Sequence, residues 1–387
     1  MAQAIISRRG GGSGYATITF NGVSDLKKTD VAALNKFRFY LAATTVGDYA
    51  LFGGGTDLHN STASGNYFTT VDAYNTSLTK SIPTALSTAR ADLAATTVGD
   101  YALFGGGFSP GFSSAVDAYN SVLTRTTPTT LSQARDNLAA TTVGNYALFG
   151  GGHNNNSLTT VDAYNSVLTR TTPTALSQAR YILAATTIGN YALFGGGYDN
   201  NSSYRSQSTV DAYNTSLTRS TPTALSQARY YLAATTVGNY ALFGGGYNND
   251  SRLSTVDAYD TSLTRTTPTA LSQARYDLAA TTVGDYALFG GGSSVVDAYN
   301  TSLTRSIPKP LSLSRSSLAA TTVGDYALFG GNTSVDAYYV NNKVQVYPGT
   351  KYKLGSMASE STSYTMQEIE TTAPITGYIK IKDATIN

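Results

Sequence analysis

One fifteen-residue stretch, LAATTVGDYALFGGG at Leu41 to Gly55, returns six more times almost letter for letter, and no other feature restricts the fold as tightly. Its first leucine falls at Leu41, Leu93, Leu138, Leu183, Leu232, Leu278 and Leu318, giving spacings of 52, 45, 45, 49, 46 and 40 residues. A period of that length marks a chain made by repeating one supersecondary unit. Within the unit, LAATTV is a short run of small and β-branched residues, Gly47-Asp48 is a two-residue turn, and YALF is a second strand stopped by Gly53, Gly54 and Gly55. Each copy therefore opens with a tight β-hairpin. VDAY (Val71 to Tyr74 in the first copy) supplies a third strand, Asn-Thr-Ser a polar turn, and SLTKSIPTALSTAR a fourth strand reaching the bend at Pro83. Four antiparallel strands in a unit of this size form the blade of a β-propeller, so the sequence predicts an all-β, seven-bladed propeller.

The unit resembles the kelch repeat. The glycine doublet follows an apolar strand, a Tyr sits in the next strand, and an Arg (Arg90 in the first copy) opens the following unit. The Trp that kelch units usually carry after that Tyr is missing, because the chain has no Trp; Leu78 and its counterparts stand nearest to the position. The resemblance covers roughly residues 25 to 340 and implies a fold much more than a function.

Composition agrees with a single closed body, since 387 residues would otherwise imply two or three domains. Only VAALNKF hints at a helical period. Charged residues make up 13% and the net charge is +2, so no field points to nucleic acid or a membrane surface. With no cysteine there is no disulfide or thiolate chemistry. No run of 18 apolar residues exists, and MAQAIISRRGGG lacks the apolar core of a signal peptide, which predicts no membrane insertion.

Residues 1–23 read as a basic, glycine-rich arm with one strand in YATITF. Its leader, small residues and Ile-Ile running into Arg8-Arg9 and glycines, resembles the start of tail-associated proteins from phages of Gram-positive bacteria. Residues 24–340 are the propeller. Within them, SDLKKTDVAALNKFR at 24–38 aligns with the fourth-strand segment of the other units: Leu26 and Leu34 match Leu78 and Leu86, and Arg38 matches Arg90. That predicts a closing strand, the N-terminus completing the last blade. The competing closure is a hairpin through Asn341-Asn342 into KVQVYP. Residues 341–387 read as a C-terminal β tail or attachment segment.

The seven copies differ in two places. One is the connection from second to third strand, running from TDLHNSTASGNYFTT in the first copy to SSV and NTS in the last two. The other is the residue pair between the Arg and Leu of each unit: Phe39-Tyr40, Ala91-Asp92, Asp136-Asn137, Tyr181-Ile182, Tyr230-Tyr231, Tyr276-Asp277 and Ser316-Ser317. In an up-down-up-down blade both connections leave the same end, so the variation is expected on one face. The set is rich in Tyr, Asn and Ser, the composition of adaptable recognition surfaces. The expected ligand-binding face comprises Phe39, Tyr40, Tyr67, Phe68, Phe108 and Phe112; Asn154, Tyr181, Tyr198, Asn200, Tyr204 and Arg205; and Tyr230, Tyr231, Tyr247, Asn249, Asp250, Arg252 and Tyr276. The long loops of blades 1, 4 and 5 should wall it, leaving it open at blades 6 and 7.

The two histidines, His59 and His153, read as solvated loop residues, and the lack of Cys with so few His excludes the usual zinc or copper sets, so no metal, cofactor or catalytic residue is expected. The glycine runs lack the Lys and helix of a phosphate loop. The sequence therefore points to a non-catalytic recognition head on a phage or prophage tail, or another extracellular surface. It would contact a bacterial surface glycan or protein, with other virion proteins held through the arm or tail. An intracellular kelch interaction scaffold and a carbohydrate-modifying propeller enzyme are the alternatives.

Overall fold

The computed structural model describes residues 4–7, 17–20, 25–58, 65–201 and 205–341. Strands account for all of its regular structure, with no helix among the described residues, Val31 to Phe37 included. Seven four-stranded antiparallel sheets succeed one another along the chain. Their innermost strands are Ala42–Val46, Ala94–Val98, Ala139–Val143, Ala184–Ile188, Ala233–Val237, Leu278–Val283 and Ala319–Val323. Each innermost strand neighbours that of the blade before and after it, the seventh meeting the first, so the molecule is a closed seven-bladed β-propeller. Residues 28–338 form this compact body. The arm holds a two-stranded hairpin where one strand was expected, Ala4–Ser7 pairing with Thr17–Phe20.

The blades are held by one interface used seven times. Side chains on one face of a blade's strands meet the opposite face of the next: Val46, Leu51 and Ala73 of blade 1 pack with Leu93, Phe104 and Tyr119 of blade 2. The same positions join blade 7 to blade 1 through Val323, Leu328 and Ala337 against Phe52 and Tyr74. Gly53 is part of this contact, because a Cβ there would lie 2.7 Å from the Phe104 ring. Each connector is pinned to the blade it enters by a buried arginine. Arg38 pairs with Asp72, and in the other six blades the Arg Nη2 to Asp Oδ2 distance is 2.5–2.8 Å with both side chains essentially without solvent.

Blade 7 takes its outermost strand from the other end of the chain, with Asp25–Asp30 lying beside Ser334–Asn341 in the sheet. Lys28 there holds Asp336 at 2.5 Å, the place that Lys80 takes with Asp72 in blade 1 and Arg265 with Asp257 in blade 5. The alternative hairpin through Asn342 and the tail 342–387 lie outside the described residues.

Two hydrogen-bond rings encircle the axis. In the channel wall the second Thr of each innermost strand meets the first Thr of the preceding blade at 2.8–2.9 Å between hydroxyl oxygens. It also donates to the carbonyl of that blade's second Thr, as Thr97 does to Thr45 and Thr45 to Thr322. The other ring lies at the variable end.

Candidate recognition face

Blades 1 to 5 each join their two variable segments by hydrogen bonds. The residue after the connector arginine pairs with the residue after the glycine run: Phe39 with Thr56, Ala91 with Phe108, Asp136 with His153, Tyr181 with Tyr198, and Tyr230 with Tyr247. The glycines make this possible. Gly54 and Gly55 have φ of +72° and +104°, and a Cβ at Gly54 would come within 2.6 Å of the Arg90 carbonyl oxygen. The two variable segments thus form one surface, built on the same scaffold in five blades.

The second residue of each connector pair forms the other ring. Tyr40, Asp92, Asn137, Ile182, Tyr231, Asp277 and Ser317 all have φ between 50° and 56°. Each backbone N–H donates to the carbonyl of the preceding member at 2.9–3.3 Å, and Tyr40 closes the circle by donating to Ser317. Left-handed backbone suits Asn and Asp but is an outlier for Ile and Tyr. The ring geometry is shared by all seven blades, whereas the side chains it carries are not.

Around that ring runs an unbroken chain of aromatic contacts. Tyr67 meets Phe108 (5.9 Å between centroids), then Phe112 (5.5 Å), His153 (5.5 Å), Tyr181 (4.9 Å), Tyr198 (5.8 Å), Tyr230 (4.9 Å), Tyr247 (5.8 Å) and Tyr276 (5.5 Å). The arc crosses blades 1 to 6, and each ring on it is partly exposed. Tyr231 of the inner ring joins it at Tyr230 and Tyr276, and Arg252 lies 5.2 Å over Tyr276.

The other expected residues fall into several environments. Phe39 is 9% exposed, covered by its bridge to Thr56 and by Phe37, so it supports the face rather than forming its surface. Phe68 carries Lys36 over its ring at 5.7 Å. Asn200 accepts from Ser157 N and Oγ of the neighbouring loop, and Asn249 accepts from Ser206 N, so these amides brace loop to loop. Arg205, Asp250 and Arg252 are exposed, and Asn154 is partly so. Tyr204 and His59 lie outside the described residues. The walls of blades 4 and 5 are short hairpins, Tyr198–Asp199 with Arg205–Ser206 and Tyr247–Asn248 with Ser251–Arg252.

Three carboxyl groups were not anticipated. Burial pushes the Asp92 carboxyl up to about 8, with the charges of Asp136 and Asp277 adding to it, although part of the side chain still reaches solvent. Asp136 is raised by burial, opposed by His153, whose Nδ1 lies 3.5 Å from Asp136 Oδ1. His153 is therefore a packed member of the arc, not a freely solvated loop residue. Its place follows from topology: it is the first residue after a glycine run, the position of Phe108, Tyr198 and Tyr247 in other blades. Among the described residues no three His, Asp or Glu side chains gather in a group able to hold a metal ion, and no helix is long and apolar enough to cross a membrane.

The opposite end is fixed by packing. A Cβ at Gly47 in the inner turn of blade 1 would stand 3.0 Å from Ser121 in the outer turn of blade 2, and Gly99 meets Ser166 in the same way. In the outer turns Asn75 Oδ1 accepts from Ser77 and Thr79 N–H, with Leu78 left-handed. Constancy of those turns thus has a structural cause, and contrast between the two ends is not by itself a sign of recognition.

The fold and face define a β-propeller with one assembled aromatic surface. No family model and no curated protein matches the chain. Solved structures match in number, 1047 chains in all, so the architecture is common and does not narrow function. One is the structure of YjhT, a propeller, at 10% identity and a TM-score of 0.55, covering 72% of this chain and 99% of that one. At that identity the likeness is one of fold alone.

Proposed function

We propose that this protein is a non-catalytic recognition head that binds an extended glycan on a bacterial surface along the aromatic arc. The observation that carries the reading is the arc itself. Rings from six blades, placed by segments that differ while the scaffold repeats, line up at 4.9–5.9 Å as one continuous strip. Sugar rings offer apolar C–H faces that stack on aromatic rings, and their hydroxyls pair with short polar side chains such as Asn154 and Asp250 at the margin. A strip, as opposed to a deep pocket, suits a polymer. The resemblance of the leader to phage tail-associated proteins supports a phage or prophage tail as the setting, with the arm or tail segment as the attachment.

The test is retention of the purified protein on intact cells of a panel of Gram-positive strains. Binding should disappear when cells are stripped of surface polysaccharide by periodate and survive protease treatment. Loss to protease alone would assign the face to a protein ligand, and release of sugar products from the cells would make the protein an enzyme.

A further inference from the structure

Beside Phe112, on the variable end, blade 2 carries an open cleft of about 410 Å³. Thr88 and Ala89 of the connector line one side, and Ser109, Gly111, Phe112 and Ser113 of the second-to-third loop line the other. At the corresponding place blades 3, 4 and 5 carry a latch. There a connector Gln accepts a hydrogen bond from the Thr that precedes the third strand: Gln133 from Thr160 at 3.0 Å, Gln178 from Thr209, and Gln227 from Thr255 at 2.7 Å. In blade 2 both partners are replaced, the Gln by Thr88 and the Thr by Ala115. Two shorter side chains stand where the latch would cross, so the cleft comes from this blade's own sequence and not from the repeated scaffold. Its rim is open at Gly111, where an added Cβ would meet only the Ser109 carbonyl oxygen at 3.8 Å.

The lining offers hydroxyl protons that lack acceptors. Thr88 Oγ1 accepts from Arg90 Nη1 at 2.9 Å, and Ser113 Oγ accepts from the Ala115 N–H at 3.1 Å. Each of these hydroxyls keeps its own proton to donate, and the Ser109 hydroxyl has no partner among the described residues. No charged side chain lines the space, and the Arg90 guanidinium that reaches Thr88 is committed to Asp117 at 2.7 Å. Phe112 adds a partly exposed ring, held edge-on to Phe108 and to His153 at 5.5 Å in each case. Three hydroxyls and one aromatic ring without a charge suit an uncharged ring that bears hydroxyls at its edge and C–H groups on its face. The volume falls in the range of small-ligand clefts, about 300–1,000 Å³.

We propose that this cleft is a subsite for one neutral pyranose unit. The proposal deepens the glycan reading and rests on it only for placing that unit in a polymer. The C–H face of the sugar lies on Phe112, and its hydroxyls accept from Thr88, Ser109 and Ser113. Because Phe112 also belongs to the arc, a chain leaving the cleft continues along His153 and Tyr181.

The experiment titrates the full chain with the methyl pyranosides of glucose, galactose and mannose, and with glucuronate, by calorimetry and NMR. At least one neutral pyranoside should bind in the millimolar range. The double variant Thr88→Gln, Ala115→Thr installs the latch of blades 3 to 5 and should abolish that binding without changing the melt. Ser113→Ala should weaken it about three- to tenfold, the loss of one hydrogen bond. No pyranoside binding at high millimolar concentration, tighter binding of glucuronate than of every neutral sugar, or full binding by the latched variant would each overturn the proposal. Should the latched variant melt early, the amide shifts of the unaltered protein decide: changes centred on residues 88–89 and 109–113 support the cleft, and changes centred elsewhere overturn it. Cell attachment that is lost to periodate while no pyranoside binds would sink the subsite and leave the glycan reading standing. Pyranoside binding at the cleft by a protein whose cell attachment survives periodate would do the reverse.

Discussion

Arg38, Arg90, Arg135, Arg180 and Arg229 are fully buried, each against an Asp as completely enclosed. Such side chains look functional in a sequence, yet here their partners are fixed by the scaffold, which is why their recurrence in every unit reads as structural. The ionisable residue that does respond to its place is Asp92. Its folded-state pKa, about 8, lies above the ordinary carboxylate value. Between about pH 4 and pH 8 the unfolded chain has lost this proton while the folded protein keeps it, so stability falls across that window and levels off above it. Asp92→Asn should flatten this part of the profile, measured as Tm against pH. A profile that falls as steeply in the variant would place the effect elsewhere. Nothing in the residue type announced Asp92: the left-handed ring that brings it near Asp277 is made by backbone hydrogen bonds between blades, and those leave no local pattern.

At the scale of strands and turns the sequence was most readable. The alternation in LAATTV and YALF, the Gly-Asp and Gly-Asn turns and the glycine stops give the first two strands of each blade almost to the residue, Ala42–Val46 and Tyr49–Gly53 in blade 1. The fourth strand is shorter than SLTKSIP implies, only Lys80–Ser81, because the chain leaves the sheet to lay Leu86 and Arg90 on the next blade. A recurrent glycine can serve conformational freedom or close approach, and both occur here. The first glycine of each run has ordinary φ and is needed for space: at Gly150 a Cβ would stand 2.7 Å from Phe194 of the following blade. Gly150→Ala should therefore destabilise by about 1–3 kcal/mol through overpacking, and Phe194→Leu in the same chain should return part of it, as read by urea melts. Additive losses in the double variant would show that the two positions do not touch.

For the whole molecule, the period and its seven copies made the ring predictable, and the closing strand was visible because Leu26 and Leu34 keep the spacing of Leu78 and Leu86 and Arg38 falls at the place of Arg90; that Lys28 takes the place of Lys80 emerged only from its contact with Asp336. The candidate recognition face was only half legible. Which segments vary, and that they leave the blade at one end, follows from strand count; that the rings of six blades touch in sequence requires the curvature of the assembled propeller. Phe39 illustrates the limit, an aromatic at a variable position that the Thr56 bridge buries. The central claim is that one end of the propeller carries recognition. It is tested by comparing a variant with Tyr198, Tyr230 and Tyr231 changed to Ala against one with the exposed turn residues Asp48, Asp100 and Asn145 changed to Ala, both checked for an unchanged melt. The measurement is equilibrium binding to intact cells of a strain that retains the protein. The account predicts that the first variant loses at least about tenfold in affinity, as truncated aromatic hot spots do, and that the second binds as the unaltered protein does. Equal loss in both, or loss confined to the turn variant, would contradict it.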